Sequence, residues 1–455
     1  MSETLLIKNC RVIDGTGAAP VSSAVLIRDG KIEAMGEQAT LAVRDDASIR
    51  EMDAKGMTVM PGLIDTHCHL SFDDAGSNPE IFFQRRNALS ALVAAYNAKK
   101  LVRAGVTSML DPDSIYENML DLRDAIEAGV ADGPRMACGS YALVSSLGGI
   151  GGRLIADKGV TGYYMVVRNK AEIVEEVRRQ IKYGADWIKV HVTGVMPRLA
   201  HKGEICVWSD EELELICETA HDLDTPVMGH CRGADATYRA AKAGFDLIFH
   251  ATGMDERALE IVIDRKIPIC PALTFQANMV DFGDRIGTSP ELRAHFEREI
   301  TDSVETVMRA HEAGVPIMCG SESGFSMVPY GHWHYREMEV YVRYFGMTPL
   351  QAIQCGTQAG AFGVKMDGQV GVVAPGYKAD LLVVDGDPSK DVTILGEPGR
   401  IRSVFIGGKD MDLKPLEPRR PIPGWRLAGM GSMLTREVAM DGRYEPEPVE
   451  VEELH

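Results

Sequence analysis

His67 and His69 stand two residues apart at the end of Thr58-Val59-Met60-Pro61-Gly62-Leu63-Ile64-Asp65-Thr66, an apolar run broken by Pro-Gly. Side chains alternate along a strand, so both imidazoles point one way and Cys68 the other. Imidazole is the commonest protein ligand for ions such as zinc, and the pair reads as a metal site at a strand's C-terminal end. Other strand-like runs end in groups of the same kind. Asp186-Trp187-Ile188-Lys189-Val190-His191 puts Lys189 and His191 on one face; Pro226-Val227-Met228-Gly229-His230 and Phe245-Asp246-Leu247-Ile248-Phe249-His250 each end in histidine. Pro316-Ile317-Met318-Cys319-Gly320-Ser321-Glu322 ends in a carboxylate. Singly, each has an ordinary reading as a core histidine or a snorkelling lysine. Jointly they read as a metal centre.

The elements that would gather these residues recur along the middle of the chain. An amphipathic helix, then Gly, then a β-branched strand appears at Gly105, Gly129, Gly244 and Gly314, with Gly184 as a variant. Gly just past a helix can close its last carbonyls in the left-handed conformation. Repeated units of this kind imply parallel strands joined by crossovers. Eight candidate strands end near His67, Leu110, Ser140, His191, His230, His250, Pro271 and Gly320. The fold class is therefore α/β, with a (β/α)8 TIM-like barrel over 58–368 whose strand ends form one mouth. An open doubly wound sheet is the other reading, but no Gly-rich phosphate loop follows the first strand. Residues 1–57 and 369–408 are instead rich in short β runs and turn signals, Asp14-Gly15 and Asp29-Gly30 among them. They predict a small β-sandwich built from both termini. Residues 409–455, rich in Pro, Arg and Glu, read as a C-terminal arm or tail.

Composition narrows the function classes. At 455 residues and 45% hydrophobic content the chain can bury a large core. Its formal charge of −18 argues against nucleic acid and anionic membranes as partners. No stretch approaches the roughly 18 apolar residues of a membrane span. The N-terminus shows no basic segment followed by an apolar one, and the nine scattered cysteines read as reduced, mostly buried thiols. A cytoplasmic enzyme acting on a small molecule, and assembling as a homo-oligomer, is the expectation.

With these motifs in place, the chain resembles the metal-dependent amidohydrolase superfamily over nearly its whole length. The resemblance rests on His67-Cys68-His69 after Pro-Gly-Leu-Ile-Asp, on the strand-four lysine and the two single histidines. It extends to Gly346-Met347-Thr348-Pro349-Leu350 and Ala374-Pro375-Gly376-Tyr377-Lys378-Ala379-Asp380-Leu381. Trp187-Ile188-Lys189 looks like the branch of prolidase-type dipeptidases and imidazolonepropionase, and herbicide hydrolases acting on phenylureas and thiocarbamates are the relatives suspected. The resemblance implies that His67 and His69 bind one ion, that His230 and His250 bind a second, and that a carboxylated Lys189 bridges them. Zinc is the first choice, with cobalt or manganese open, as one ion or two. Glu322 would act as base and then acid, and as a ligand in some readings, beside Lys189 and His250 in the catalytic set. Two departures stand out: the superfamily's Gly-Thr-Asp is here Gly320-Ser321-Glu322, and Ile150 occupies a position where many relatives place histidine.

The implied activity is hydrolysis of a C–N bond in an amide, urea or carbamate, of phenylurea type with an aryl-bearing substrate. Phe275, Phe325, Met327, Tyr330 and Trp333 favour such a substrate. The alternative is a dipeptidase or N-acyl amino acid hydrolase, with Arg153 or Arg232 receiving the carboxylate. His191, Arg232, Tyr330 and His332 are the substrate-binding candidates, with His334 beside them. Deamination is disfavoured, because related deaminases carry glutamate three residues after the strand-five histidine and this chain has Gly233. A catalytically silent structural homologue is the reading from another class, weakened by a complete set of nitrogen ligands.

Overall fold

The computed structural model describes residues 4–43, 49–73, 86–145, 159–194, 205–417 and 434–441. Strands from both ends of the chain are hydrogen-bonded into one eight-stranded sheet. Its order runs Lys409–Asp410, Ile401–Ile406, Leu381–Val384, Thr58–Pro61, Leu5–Val12, Val21–Arg28 and Lys31–Met35, with Arg50–Asp53 paired to Leu5–Val12. The join between the ends is antiparallel, with Val59 opposite Val383. Alternation buries Val12, Val25, Ile27, Val59, Leu381, Val383 and Phe405 together. Asp29-Gly30 turns between adjacent strands with both residues at positive φ, as a two-residue hairpin demands. Asp14-Gly15 does not make the tight hairpin its sequence signals. The Asp14 carbonyl accepts from Val373 N, and a Cβ on Gly15 would lie 2.5 Å from the Gly371 carbonyl. This glycine lets the two ends of the chain approach closely.

The middle of the chain is mixed α/β. One sheet pairs Leu63–Asp65, Val106–Asp111 and Arg135–Cys138 in parallel. The other runs Gly159–Thr161, Tyr164–Val167, Ala142–Ser145, Ile188–His191, Val227–Arg232, Leu247–Thr252 and Ile269–Cys270. Its first three strands were not among the expected eight. Hydrogen bonds link the sheets at both edges. Asp186 N donates to Cys138 O at 2.8 Å; on the other side Met318 N donates to Ile269 O at 2.8 Å and Thr66 N to Cys319 O at 2.9 Å. Each of the eight expected strand segments sends at least one residue into a single buried cluster: Ile64, Leu110, Ala137, Trp187, Met228, Phe249, Cys270 and Met318.

Helices cross between these strands because their ends are specified locally. Asp210–His221 begins with a reciprocal capping box between Ser209 and Glu212, and Glu256–Arg265 with the Asp255 carboxylate on Ala258 N. The five glycines that follow helices, Gly105, Gly129, Gly184, Gly244 and Gly314, all take positive φ. Part of the C-terminal stretch packs on the chain: Tyr96 donates to the Glu417 carbonyl, and Trp333 Nε1 donates to the carbonyl of buried Leu434, ahead of the helix Arg436–Asp441. Residues 418–433 and 442–455 of the expected arm, together with Ile150 and Arg153, lie outside the described residues. Among the described residues no helix is long and apolar enough to cross a membrane. All nine cysteines are free thiols, eight of them buried.

Candidate metal centre

Successive strand ends deliver the polar residues to one buried place. His67 and His69 follow Leu63–Asp65, and their rings lie 5.0 Å apart, while Cys68 offers its sulfur close to Asp65 and His334. Lys189 and His191 come from Ile188–His191; His230 and His250 come from Val227–Arg232 and Leu247–Thr252. Glu322 arrives on the loop after Ile317, fixed by Glu322 N donating to His67 O at 2.7 Å. His67 Nε2 and His250 Nε2 face Glu322 Oε1 at 4.0 and 3.5 Å. His230 packs edge-on to His250 at 4.4 Å, and His191 stacks flat on His230 at 4.6 Å. Phe249 forms the floor, under His67 and under Lys189 Nζ at 4.1 Å from its centroid.

The backbone there is held in an unusual shape. His250, Ala251 and Glu322 all have positive φ, a conformation that costs non-glycine residues energy and clusters at functional sites. The surrounding packing that keeps it also aims the imidazole and the carboxylate at each other.

One ring nitrogen of three histidines faces a backbone carbonyl, and the second nitrogen of His250 is unpartnered among the described residues. His69 Nδ1 faces Asp113 O at 3.2 Å, His230 Nε2 faces Gly194 O at 3.1 Å, and His250 Nδ1 faces Pro271 O at 3.3 Å. This is the outer-shell arrangement that orients metal-binding imidazoles. Meanwhile His67 Nδ1, His250 Nε2 and Lys189 Nζ are buried polar atoms without hydrogen-bond partners among the described residues. His67, His250 and Glu322 each present a ligand atom within 4.8 Å of one another. Burial, reinforced by neighbouring positive groups, holds His67, His230 and His250 well below the usual imidazole range, so they stay neutral. Burial also lowers the Lys189 amine. Unpartnered neutral nitrogens beside a carboxylate are a donor set that fits a divalent ion.

Two carboxylates that the sequence reading did not single out tie the site together. Asp113 is buried beyond Val106–Asp111; its Oδ1 lies 2.9 Å from His69 Nδ1, and its Oδ2 2.9 Å from His191 Nε2 and 3.8 Å from Lys189 Nζ. The one available signal was the acidic Asp111-Pro112-Asp113 run where a strand should stop. Asp65 bridges the two ends of the ligand arc. It accepts from His67 N and Ser321 N through Oδ1, and from Ser321 Oγ and His334 Nδ1 through Oδ2. His334 is thus a brace for the strand carrying the His pair.

The remaining candidates have other partners. Arg232 pairs with Glu299. The buried Tyr330 hydroxyl donates to His69 O and accepts from Asp73 N. His332 lies 3.4 Å from Glu437 on the C-terminal helix.

Residues 58–411 match the family model described as the amidohydrolase family. The chain belongs to the amidohydrolase family. Among curated relatives of this amidohydrolase, Aspergillus niger ochratoxinase is 26% identical over 420 residues, covering 88% of this chain and 84% of that one. Among solved structures, a Xaa-Pro dipeptidase with bound methionine is 26% identical with a TM-score of 0.76, covering 90% of this chain and all of the other (100%). Phenylurea hydrolase B shares the fold at a TM-score of 0.73 and 19% identity, covering 92% of this chain and 100% of that one.

Proposed function

We propose that this amidohydrolase is a metal-dependent enzyme that cleaves the C–N bond of an amide, urea or carbamate bearing an aryl group. The convergence of His67, His69, Lys189, His230, His250 and Glu322, with His67, Lys189 and His250 each keeping a buried unpartnered nitrogen and His67, His250 and Glu322 offering ligand atoms close together, carries this reading. In it, His67 and His69 hold one ion and His230 and His250 a second, zinc being first choice for so nitrogen-rich a set. Lys189, whose buried Nζ has its proton affinity lowered by burial, would take up carbon dioxide as a carbamate and offer the ions oxygens in place of an ammonium. When bound, such ions supply Lewis acidity to a water and to the scissile carbonyl.

The rest of the chemistry falls to the chain. Glu322 takes a proton from water and returns it to the departing nitrogen. Burial pushes its carboxyl up to about 8 despite the pull of Arg232 and of Lys189 as a free amine, and a carbamate on Lys189 would remove that second pull, so Glu322 can hold and release a proton near neutrality. Phe72 stacks on His69 at 4.4 Å and Phe325 meets it edge-on at 5.7 Å, giving the mouth an aromatic side that excludes water. The eight parallel segments close into a (β/α)8 barrel; the hydrogen bonds at both sheet edges and the shared inner cluster support that closure. The terminal strands form the accompanying β unit.

A second reading, cleavage of dipeptides or N-acyl amino acids, is favoured by the 26% identity to the Xaa-Pro dipeptidase. Zinc-replete enzyme should hydrolyse neutral aryl ureas, carbamates or anilides in a screen that also contains N-acyl amino acids and dipeptides. Exclusive cleavage of the carboxylate-bearing substrates reverses the ranking. A metal-free enzyme in which His67→Ala retains full activity removes the site assignment.

A further inference from the structure

The strand that carries His230 ends two residues later at Arg232, just past an irregularity in its pairing with the His250 strand. Arg232 is buried, and its guanidinium is paired with Glu299, a carboxylate only 9% exposed on the long helix Pro290–Glu312. One oxygen of Glu299 makes that pair. The other, Oε2, is buried without a hydrogen-bond partner among the described residues.

The same helix face carries Phe296, three residues before Glu299. Phe296 meets Phe275 at 6.0 Å, Phe275 meets Phe325 at 6.0 Å, and Phe325 reaches Phe72 at 5.2 Å and His69 at 5.7 Å. A row of rings therefore runs from the candidate ligands to the helix that holds the ion pair.

Resting on the hydrolase reading above, we infer that the Arg232–Glu299 pair determines specificity: it selects neutral aryl substrates with an N–H donor and rejects aryl substrates with a free carboxylate. A guanidinium alone would take a substrate carboxylate through two parallel charge-assisted bonds. Glu299 already occupies that role, and a second carboxylate would approach against its like charge. The unused Oε2 needs a donor, which an amide or urea N–H supplies and a carboxylate does not. The row of rings presents its apolar surface to the aryl group beside that acceptor.

The test is calorimetric binding of acetanilide and of its ortho-, meta- and para-carboxylate derivatives to metal-replete enzyme. Wild type should bind acetanilide in preference to every acid. Glu299→Gln should move that preference towards at least one acid by about 10-fold or more, since it removes like-charge repulsion while keeping the side chain's size. Adding Arg232→Gln to Glu299→Gln should cancel the gain. A preference unchanged by Glu299→Gln, a gain that survives Arg232→Gln, or a wild type that fails to bind acetanilide overturns the assignment. Binding is read without turnover. A wild type that shows the predicted binding pattern and yet hydrolyses no amide, urea or carbamate therefore overturns the hydrolase reading and leaves the specificity pair standing.

Discussion

Asp113 and Glu322 are both buried carboxylates at the ends of parallel strand segments, facing the same cluster of imidazoles from different sides, yet their surroundings drive them apart. Burial opposes the charge of each. At Asp113, with Lys189 as the free amine, it is outweighed by Lys189 and His69 and by the contact with His191, so the carboxyl is held well below the usual range. At Glu322 burial wins, and the carboxyl rises to about 8 despite Arg232 and Lys189. The difference lies in hydrogen-bond company. Asp113 has an imidazole nitrogen 2.9 Å from each of its oxygens, whereas Glu322 faces imidazole nitrogens at 3.5 and 4.0 Å, beyond good hydrogen-bond distance. A pair of carboxyls pushed in opposite directions marks the division between a fixed anion and a proton carrier. On the proposed reading, Asp113 belongs to the framework and Glu322 to the reaction.

The sharpest way to break that division is Glu322→Gln, which keeps size and removes proton transfer. Turnover should fall by about 10³-fold, close to 4 kcal/mol in activation free energy. Bound zinc, measured by atomic absorption after dialysis, should stay near the wild-type level. If zinc is lost in proportion to activity, Glu322 is a ligand first, and the contrast with Asp113 collapses.

A third buried carboxylate separates burial alone from burial beside the cluster. Glu337 accepts from Leu273 N at 2.9 Å and from Thr274 Oγ1 at 2.8 Å, and burial still raises it to about 7. A folded-state value above the unfolded one means the fold prefers the protonated form. The associated stability is therefore complete below about pH 4.5 and is lost as pH rises through about 7, by on the order of 3 kcal/mol. Urea denaturation of wild type should show that decline, and Glu337→Gln should flatten it. An equally steep decline in the variant would show that Glu337 is not its source, and that burial alone does not raise a carboxyl here as it does at Glu322.

What could be foreseen of these three carboxyls follows from how far each depends on distant partners. Glu322 was legible because it ends an apolar run in step with the histidine-tipped strands, and periodicity reports which face a side chain takes. The same local logic found His67, His69, Lys189, His230 and His250, and the glycines that close helices. Asp113 and Glu299 were not legible. Their significance comes from partners on other elements: His69, Lys189 and His191 for the first, Arg232 for the second. No spacing rule within Val106–Asp111 or Pro290–Glu312 encodes those meetings. Asp14-Gly15 failed for the same reason, since the Gly371 carbonyl that crowds it lies at the other end of the chain.

Asp113→Asn should produce the smallest of the expected effects and the most informative one for the comparison. An amide at this position loses the anion but keeps the volume, so the buried shell has little reason to collapse. His69 would lose the carboxylate 2.9 Å from its Nδ1 while keeping the Asp113 carbonyl, and His191, stacked on His230, would lose the charged acceptor on its Nε2. Outer-shell losses of this kind typically weaken metal binding by about 10–100-fold. Competition with a chromophoric chelator would measure that directly. At saturating zinc, turnover should recover to within a few-fold of wild type, because the proton carrier Glu322 is untouched. If saturating metal leaves turnover as low as in Glu322→Gln, Asp113 takes part in the reaction itself, and the contrast between a fixed anion and a proton carrier must give way to two carboxylates sharing the proton.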